Sequence, residues 1–187
     1  MHDDTGGGPG RAAIIAALVV AVAAIGAVLA IAATRRTPAA PIAIAGVPAP
    51  QAESAECRAL MATLPERLGE FTRAAAAEPV PPGAAAWRGS GEHDAGDPVI
   101  LRCGLDRPAE FVVGTPLQMV DDAQWLRLAD GSGNRPDSER STWVSVDRPV
   151  YIALTLPAGS GPAPIQTLSE VIARTMPAMP IRPAPAR

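Results

Sequence analysis

From Ala12 to Ala33 the chain runs through 22 residues, AAIIAALVVAVAAIGAVLAIAA, without a charge or a hydrogen-bonding side chain. Only Gly26 interrupts it as a helix. At a rise of about 1.5 Å per residue the run is roughly 33 Å long, enough for a hydrocarbon layer of about 30 Å. It predicts a transmembrane helix over 12–33 and makes the lipid bilayer the first expected partner. A cleaved signal peptide is the rival reading. Its apolar core is usually about 7–15 residues, followed closely by an Ala-x-Ala site. Ala43-Ile44-Ala45 lies well past the run, behind Arg35 and Arg36, and Ala30-Ile31-Ala32 would be cut inside it. No cysteine follows closely enough for a lipid-modified N-terminus. An uncleaved anchor is the expectation.

Basic residues near the two ends of the run nearly tie, with Arg11 and the free amine on one side and Arg35 and Arg36 on the other. The positive-inside rule alone therefore does not orient it. The two cysteines, Cys57 and Cys103, both lie beyond the anchor, and a single pair is what an oxidising compartment bridges. Closing such a loop is worth about 4 kcal/mol by chain entropy. Two separate buried thiols are the alternative; a metal site lacks the usual close Cys/His pairs. The expected topology is a cytoplasmic tail over 1–11 and a large C-terminal part outside the cell membrane.

Composition divides the chain beyond the anchor. Residues 34–52, TRRTPAAPIAIAGVPAPQA, carry four prolines among alanines and read as a semi-rigid stalk. Residues 53–177 form the expected folded domain, and 178–187 a proline-rich, disordered tail. Residues 37–187 hold 13 arginines against 17 acids, a net charge of −4. With no block of basic residues, this excludes a nucleic-acid partner. Lysine is absent from the chain, which with so much alanine and proline points to coding bias rather than to function.

Inside the domain, Cys57, Leu60, Leu64, Leu68 and Phe71 follow a 3.6-residue repeat, predicting helical structure from about 54 to 75. Pro65, with Thr63 and Glu66 spaced like a capping box, predicts a bend there between two short helices. Strands are predicted at Ala85–Trp87, Val99–Arg102, Leu117–Val120 and Gln124–Leu128. Thr142–Val146 alternates, and so do Val150, Ile152, Leu154 and Leu156, with Asp147-Arg148-Pro149 between them as a tight hairpin. Ile165, Leu168, Ile172 and Met176 share one stripe of a final helix. The fold class is α+β: an N-terminal transmembrane helix, then a small two-layer domain with an antiparallel sheet packed against N- and C-terminal helices. A Cys57–Cys103 bridge would staple helix to sheet.

Several elements carry a family resemblance: Pro48-Ala49-Pro50, Cys57, Leu64-Pro65-Glu66-Arg67-Leu68, Ala86-Trp87, Val99 to Gly104, Trp125, Trp143, and Asp147 to Pro157. On these the chain resembles the actinobacterial membrane or exported proteins of the domain of unknown function 3515 (DUF3515) family. The Arg102-Cys103-Gly104 element and the Asp147-Arg148-Pro149-Val150-Tyr151 strand are the specific parts. The resemblance implies a small extracytoplasmic domain on a single-pass anchor, and it supplies no catalytic residues and no activity.

Chemistry-bearing constellations are sparse. His2 lies in the tail, and His93 sits in the loop GSGEHDAGD with Glu92, Asp94 and Asp97, whose spacing does not match an EF-hand. That loop reads as a solvated acidic turn. No serine lies in a Gly-x-Ser-x-Gly elbow. Gly6-Gly7-Gly8 lacks the lysine and hydroxyl residue of a phosphate loop. Asp121-Asp122 reads as a turn, and Gly159-Ser160-Gly161-Pro162 as a turn between strand and helix. The wide spacing of the cysteines excludes a Cys-x-x-Cys redox pair. No catalytic, cofactor or metal residues are therefore assigned. Trp87 and Trp125 are expected to supply core volume. Trp143 lies opposite Thr142, Val144 and Val146 in its strand and is expected to face away from the main core; with Arg148 it forms the expected contact surface. The expected function is a non-enzymatic binding or accessory module of the envelope, with an envelope protein or a cell-wall component as partner. The alternative is a small cell-wall-acting enzyme using two carboxylates about 5–9 Å apart without histidine.

Overall fold

The computed structural model describes residues 10–34, 39–89, 97–129 and 140–186. It divides into two units, Met1–Ala40 and Pro41–Arg187. The first is built on α1, Arg11–Thr34, a helix of 24 residues. Its stretch Arg11–Ile31 is long and apolar enough to cross a membrane, a property that N-terminal signal sequences share. Apolar side chains are exposed all round it, from Ile14 and Val19 to Ile25 and Leu29.

The second unit is α+β. Helix α2, Ala55–Thr63, starts where the Ser54 hydroxyl accepts the backbone N–H of Cys57 at 3.1 Å, an N-cap that satisfies one of the helix's unpaired donors. Eight strands follow: β1 Arg67–Leu68, β2 Phe71–Ala74, β3 Ala84–Arg88, β4 Val99–Leu105, β5 Gln118–Val120, β6 Ala123–Ala129, β7 Ser141–Ser145 and β8 Tyr151–Leu156. Helix α3, Ala163–Thr175, closes the order. The strands form one antiparallel sheet in the order β1-β2-β3-β4-β8-β7-β6-β5. Two four-stranded meanders thus meet along β4 and β8. Helix α3 touches β1 at one edge and β5 and β6 at the other. Eight strands at about 4.8 Å spacing are far wider than one helix of about 10 Å, so the sheet must curl around α3.

Alternation along the strands makes two faces, and both are covered. The front carries the main core, in which Leu101, Cys103, Trp125, Ile152 and Leu154 meet Cys57 and Leu60 of α2 and Leu168 and Ile172 of α3. The back carries two smaller clusters. In one, Ile42 and Ile44 lie on Ala84, Ala86 and Ile100, the alanines leaving room for the segment to come close. In the other, Phe111 lies on Leu126, Val144, Val146 and Ala153. The proline-rich segment read as stalk therefore joins the domain from Pro41 on: Ile42 forms a bridge with Ala76, donating to Ala75 O and accepting from Ala77 N, both at 2.8 Å. The C-terminal segment read as a disordered tail also lies on this unit, with Met179 N donating to Asp147 O at 2.8 Å and Ala184 bridged to Val112.

One element differs in kind from its expectation. The helix expected through 75 ends at Thr63, and residues 67–74 form the β1–β2 hairpin instead. Pro65 pushes Leu64 to φ −60°, ψ 133°, because the proline ring disfavours the helical region for the residue before it. Thr63 turns its hydroxyl back to Ala59 O and Leu60 O rather than capping a second helix. Gly69, at φ 58°, then reverses the chain between paired Leu68 and Phe71.

Three consecutive residues of β4 fasten the chain that precedes the sheet. Arg102 reaches across the back to Ala45 O at 3.2 Å. Cys103 is disulfide-bonded to Cys57 of α2, with Cα atoms 5.7 Å apart. Gly104 accepts from Gln51 N at 3.0 Å at the bulge where the β4–β8 register shifts. At φ 86° it lets the Gln51–Ala52 backbone so close that a Cβ would sit 2.3 Å from Ala52 N. The Arg102-Cys103-Gly104 motif is a strap.

Candidate functional site

The Asp147-Arg148 element is also structural. Asp147 and Arg148 lie at the β7–β8 turn, 3 % and 7 % exposed. Asp147 Oδ2 accepts Gln124 N at 3.0 Å, its Oδ1 accepts the Ser145 hydroxyl at 3.4 Å, and Arg148 Nη1 pairs with Oδ2 at 2.9 Å. Arg148 Nη2 donates to Asp122 O at 2.7 Å. The pair thereby knots the β7–β8 turn to the β5–β6 turn Asp121-Asp122, where Asp121 takes φ 49°, and to Met179 of the C-terminal segment. The guanidinium expected on a contact surface is buried instead, because its donors have backbone carbonyls to satisfy inside.

Trp143 is corrected in a different way. It does lie opposite Val144 and Val146, but the face it shares is the front, where it packs half-buried at the margin of the main core. Direct pairing aligns Arg127, Trp143 and Leu154 across β6, β7 and β8, and the Arg127 guanidinium lies 5.5 Å over the Trp143 ring. Trp143 Nε1 donates to the Ser141 hydroxyl at 3.2 Å. The other two tryptophans are core, as expected: Trp87 donates to Pro65 O at 3.0 Å and Trp125 to Ser169 Oγ of α3 at 2.9 Å. Burial pushes the guanidinium of Arg73, stacked 4.7 Å over Trp87, down from its ordinary pKa, with Glu66 opposing; burial does the same to Arg102.

Helix α3 begins only at Ala163, after the loop Pro157–Pro162. Among the described residues a groove of about 720 Å³ lies beside Trp143, within the range of small-molecule sites. It is lined by the buried side chains of Leu156 and Ile165 and by Arg127, Ser141 and Trp143. Gln118, Met119 and Asp121 of the β5 edge, with Ser160 and Gln166 of the loop and α3, complete it. Sequence reading found Trp143 but missed Arg127, Gln118 and Gln166. Strand register, which pairs Arg127 with Trp143 and Gln118 with Trp125, brings the first two close, and the first turn of α3 brings Gln166.

As for chemistry, Asp121 is the one carboxylate among the described lining residues. Among the described residues no three His, Cys, Asp or Glu side chains gather as a metal site. His93, Glu92 and Asp94 lie outside the described residues; Asp97 is described, and it pairs with Arg140. No curated protein and no solved structure matches this chain. The sequence profile of DUF3515, described as a protein of unknown function, matches residues 18–181, which take in most of α1, the strap at β4, the Asp147–Arg148 knot and α3, and on that match the chain belongs to this family.

Proposed function

We propose that the protein is a single-pass membrane-anchored envelope protein, with 12–33 in the bilayer and 1–11 in the cytoplasm. The domain from Pro41 on then lies outside and works as a binding or accessory module. The observation that carries the binding reading is the groove at Trp143. An aromatic side chain kept half-open at a core margin, beside a guanidinium and a rim of amides, is the composition of binding hot spots rather than of inert surface. The compartment reading is supported by the length of the apolar helix and by the disulfide, which an oxidising environment sustains.

A photoreactive residue at 143, in native membranes, tests the binding reading against one at Val113, which is 59 % exposed and away from the groove. Reproducible adducts at 143 that are missing at 113 are the expected result. Equal capture at both sites, or none at 143, would remove the groove as the working surface.

A further inference from the structure

The composition of the groove narrows its ligand, given the reading of it as a binding site. Trp143 lines the groove half-buried, with the Arg127 guanidinium 5.5 Å over one face of its ring, so a ligand ring would stack on the other. The exposed amides of Gln118 and Gln166 and the exposed carboxylate of Asp121 also line the groove. None of these three side chains has an intramolecular partner among the described residues. Each amide both donates and accepts, and each of the three ends in two polar atoms on one plane. The Ser160 hydroxyl is engaged with Pro157 O at 2.5 Å and keeps an acceptor lone pair. Among the described lining residues formal charge is balanced, Arg127 against Asp121.

A ligand complementary to this set has an apolar flat face for the indole, neighbouring hydroxyls that planar amides and a carboxylate can bridge in pairs, and little net charge. Among the described lining residues a polyanion would meet Asp121 and a single arginine, already stacked on Trp143; a polycation would meet Arg127. An extended peptide would engage the free backbone edge of β5, but that strand has only three residues. We infer that the groove binds a neutral saccharide segment, one ring stacked on Trp143 and its hydroxyls held by Gln118, Gln166 and Asp121.

The tryptophans supply a direct readout. Trp87 and Trp125 are 0 % exposed, whereas Trp143 is half-buried in the groove, so collisional quenching by acrylamide reports on Trp143. The experiment uses the full chain in nanodiscs and a panel of neutral tetrasaccharides: β-1,4-linked N-acetylglucosamine, α-1,4-linked glucose, α-linked mannose and β-linked galactose. At least one should shield Trp143 and show saturation transfer by NMR. Its affinity should fall about fivefold on Gln118→Ala and again on Gln166→Ala, the loss of one hydrogen bond each. Both positions are exposed, so the fold survives these changes. Trp143→Phe should retain binding and Trp143→Ala abolish it. Shielding by an extended peptide or by polyglutamate, with none from any saccharide, overturns the inference and leaves the binding reading standing. No shielding by any probe, together with no adducts at 143 in native membranes, overturns both.

Discussion

Arginine at position 148 is the residue whose role changed most between chain and fold. Its charge is satisfied by Asp147 and by two backbone carbonyls, its side chain only 1 % exposed. Removing one member of such a buried pair strands the other, at about 3–5 kcal/mol. Arg148→Ala should therefore lower the unfolding free energy in urea by that much while a folded fraction still binds at the groove. A variant as stable as the parent would show that the knot is dispensable. Glycines make a second contrast. Gly104 and Gly159 both have positive φ, 86° and 73°, but a Cβ at Gly104 meets backbone at 2.3 Å while one at Gly159 meets nothing within 4 Å. Gly159→Ala should cost about 1 kcal/mol, the strain alone, and Gly104→Ala well beyond the roughly 3 kcal/mol ceiling of strain. Equal losses in parallel denaturation curves would contradict the strap.

At the scale of elements, the antiparallel meanders follow from local chemistry, with turns such as Gly69-Glu70 and Asp121-Asp122 setting the register. What ties the meanders to the rest is long-range. The Cys57–Cys103 bond closes a loop with a sequence separation of 46, worth about 4 kcal/mol in chain entropy. Replacing both cysteines by serine should lose about that much, measured by denaturant unfolding of the full chain in micelles. A loss below about 1 kcal/mol would mean that Arg102 to Ala45 and Gly104 to Gln51 already hold the loop closed. The 3.6-residue repeat through Phe71 misled because Leu68 and Phe71 are buried as hairpin residues on the front of the sheet. Periodicity counts buried positions and does not know which element buries them; Pro65 and Gly69 were the signals that overrode it.

For the molecule as a whole, the apolar helix and the sheet domain are separate units, and the proposed topology puts the first in the bilayer and the second outside the cell. Cysteines substituted at Asp3 and Thr37, in a background with Cys57 and Cys103 replaced, should differ in reaction with an impermeant thiol reagent in intact cells. Labelling at Thr37 alone is expected; labelling at Asp3 alone would invert the arrangement. The two regions set aside by composition, 34–52 and 178–187, both reach the back of the sheet, at Ile42–Ile44 and at Ala184. Prolines there do not prevent order. They favour extended chain, which is the conformation needed to lie along a sheet.

The membrane-length apolar run, six of the eight strands, the stripe of α3 and the identity of the bridging cysteines were legible in the chain itself. Each is written in residues a few positions apart, or, for the cysteines, in there being a single pair. Which face of the sheet would hold the main core was not legible. Alternation distinguishes two faces without saying what will cover either, so it sets Trp143 opposite the right residues and leaves its face unassigned. The cover came from segments far away in sequence: α2, α3, Ile42–Ile44 and the chain around Phe111. The groove draws on β5, β6, β7, the loop Pro157–Pro162 and the start of α3, and where a helix lands on a sheet is decided by packing between distant parts of the chain, which no local pattern records.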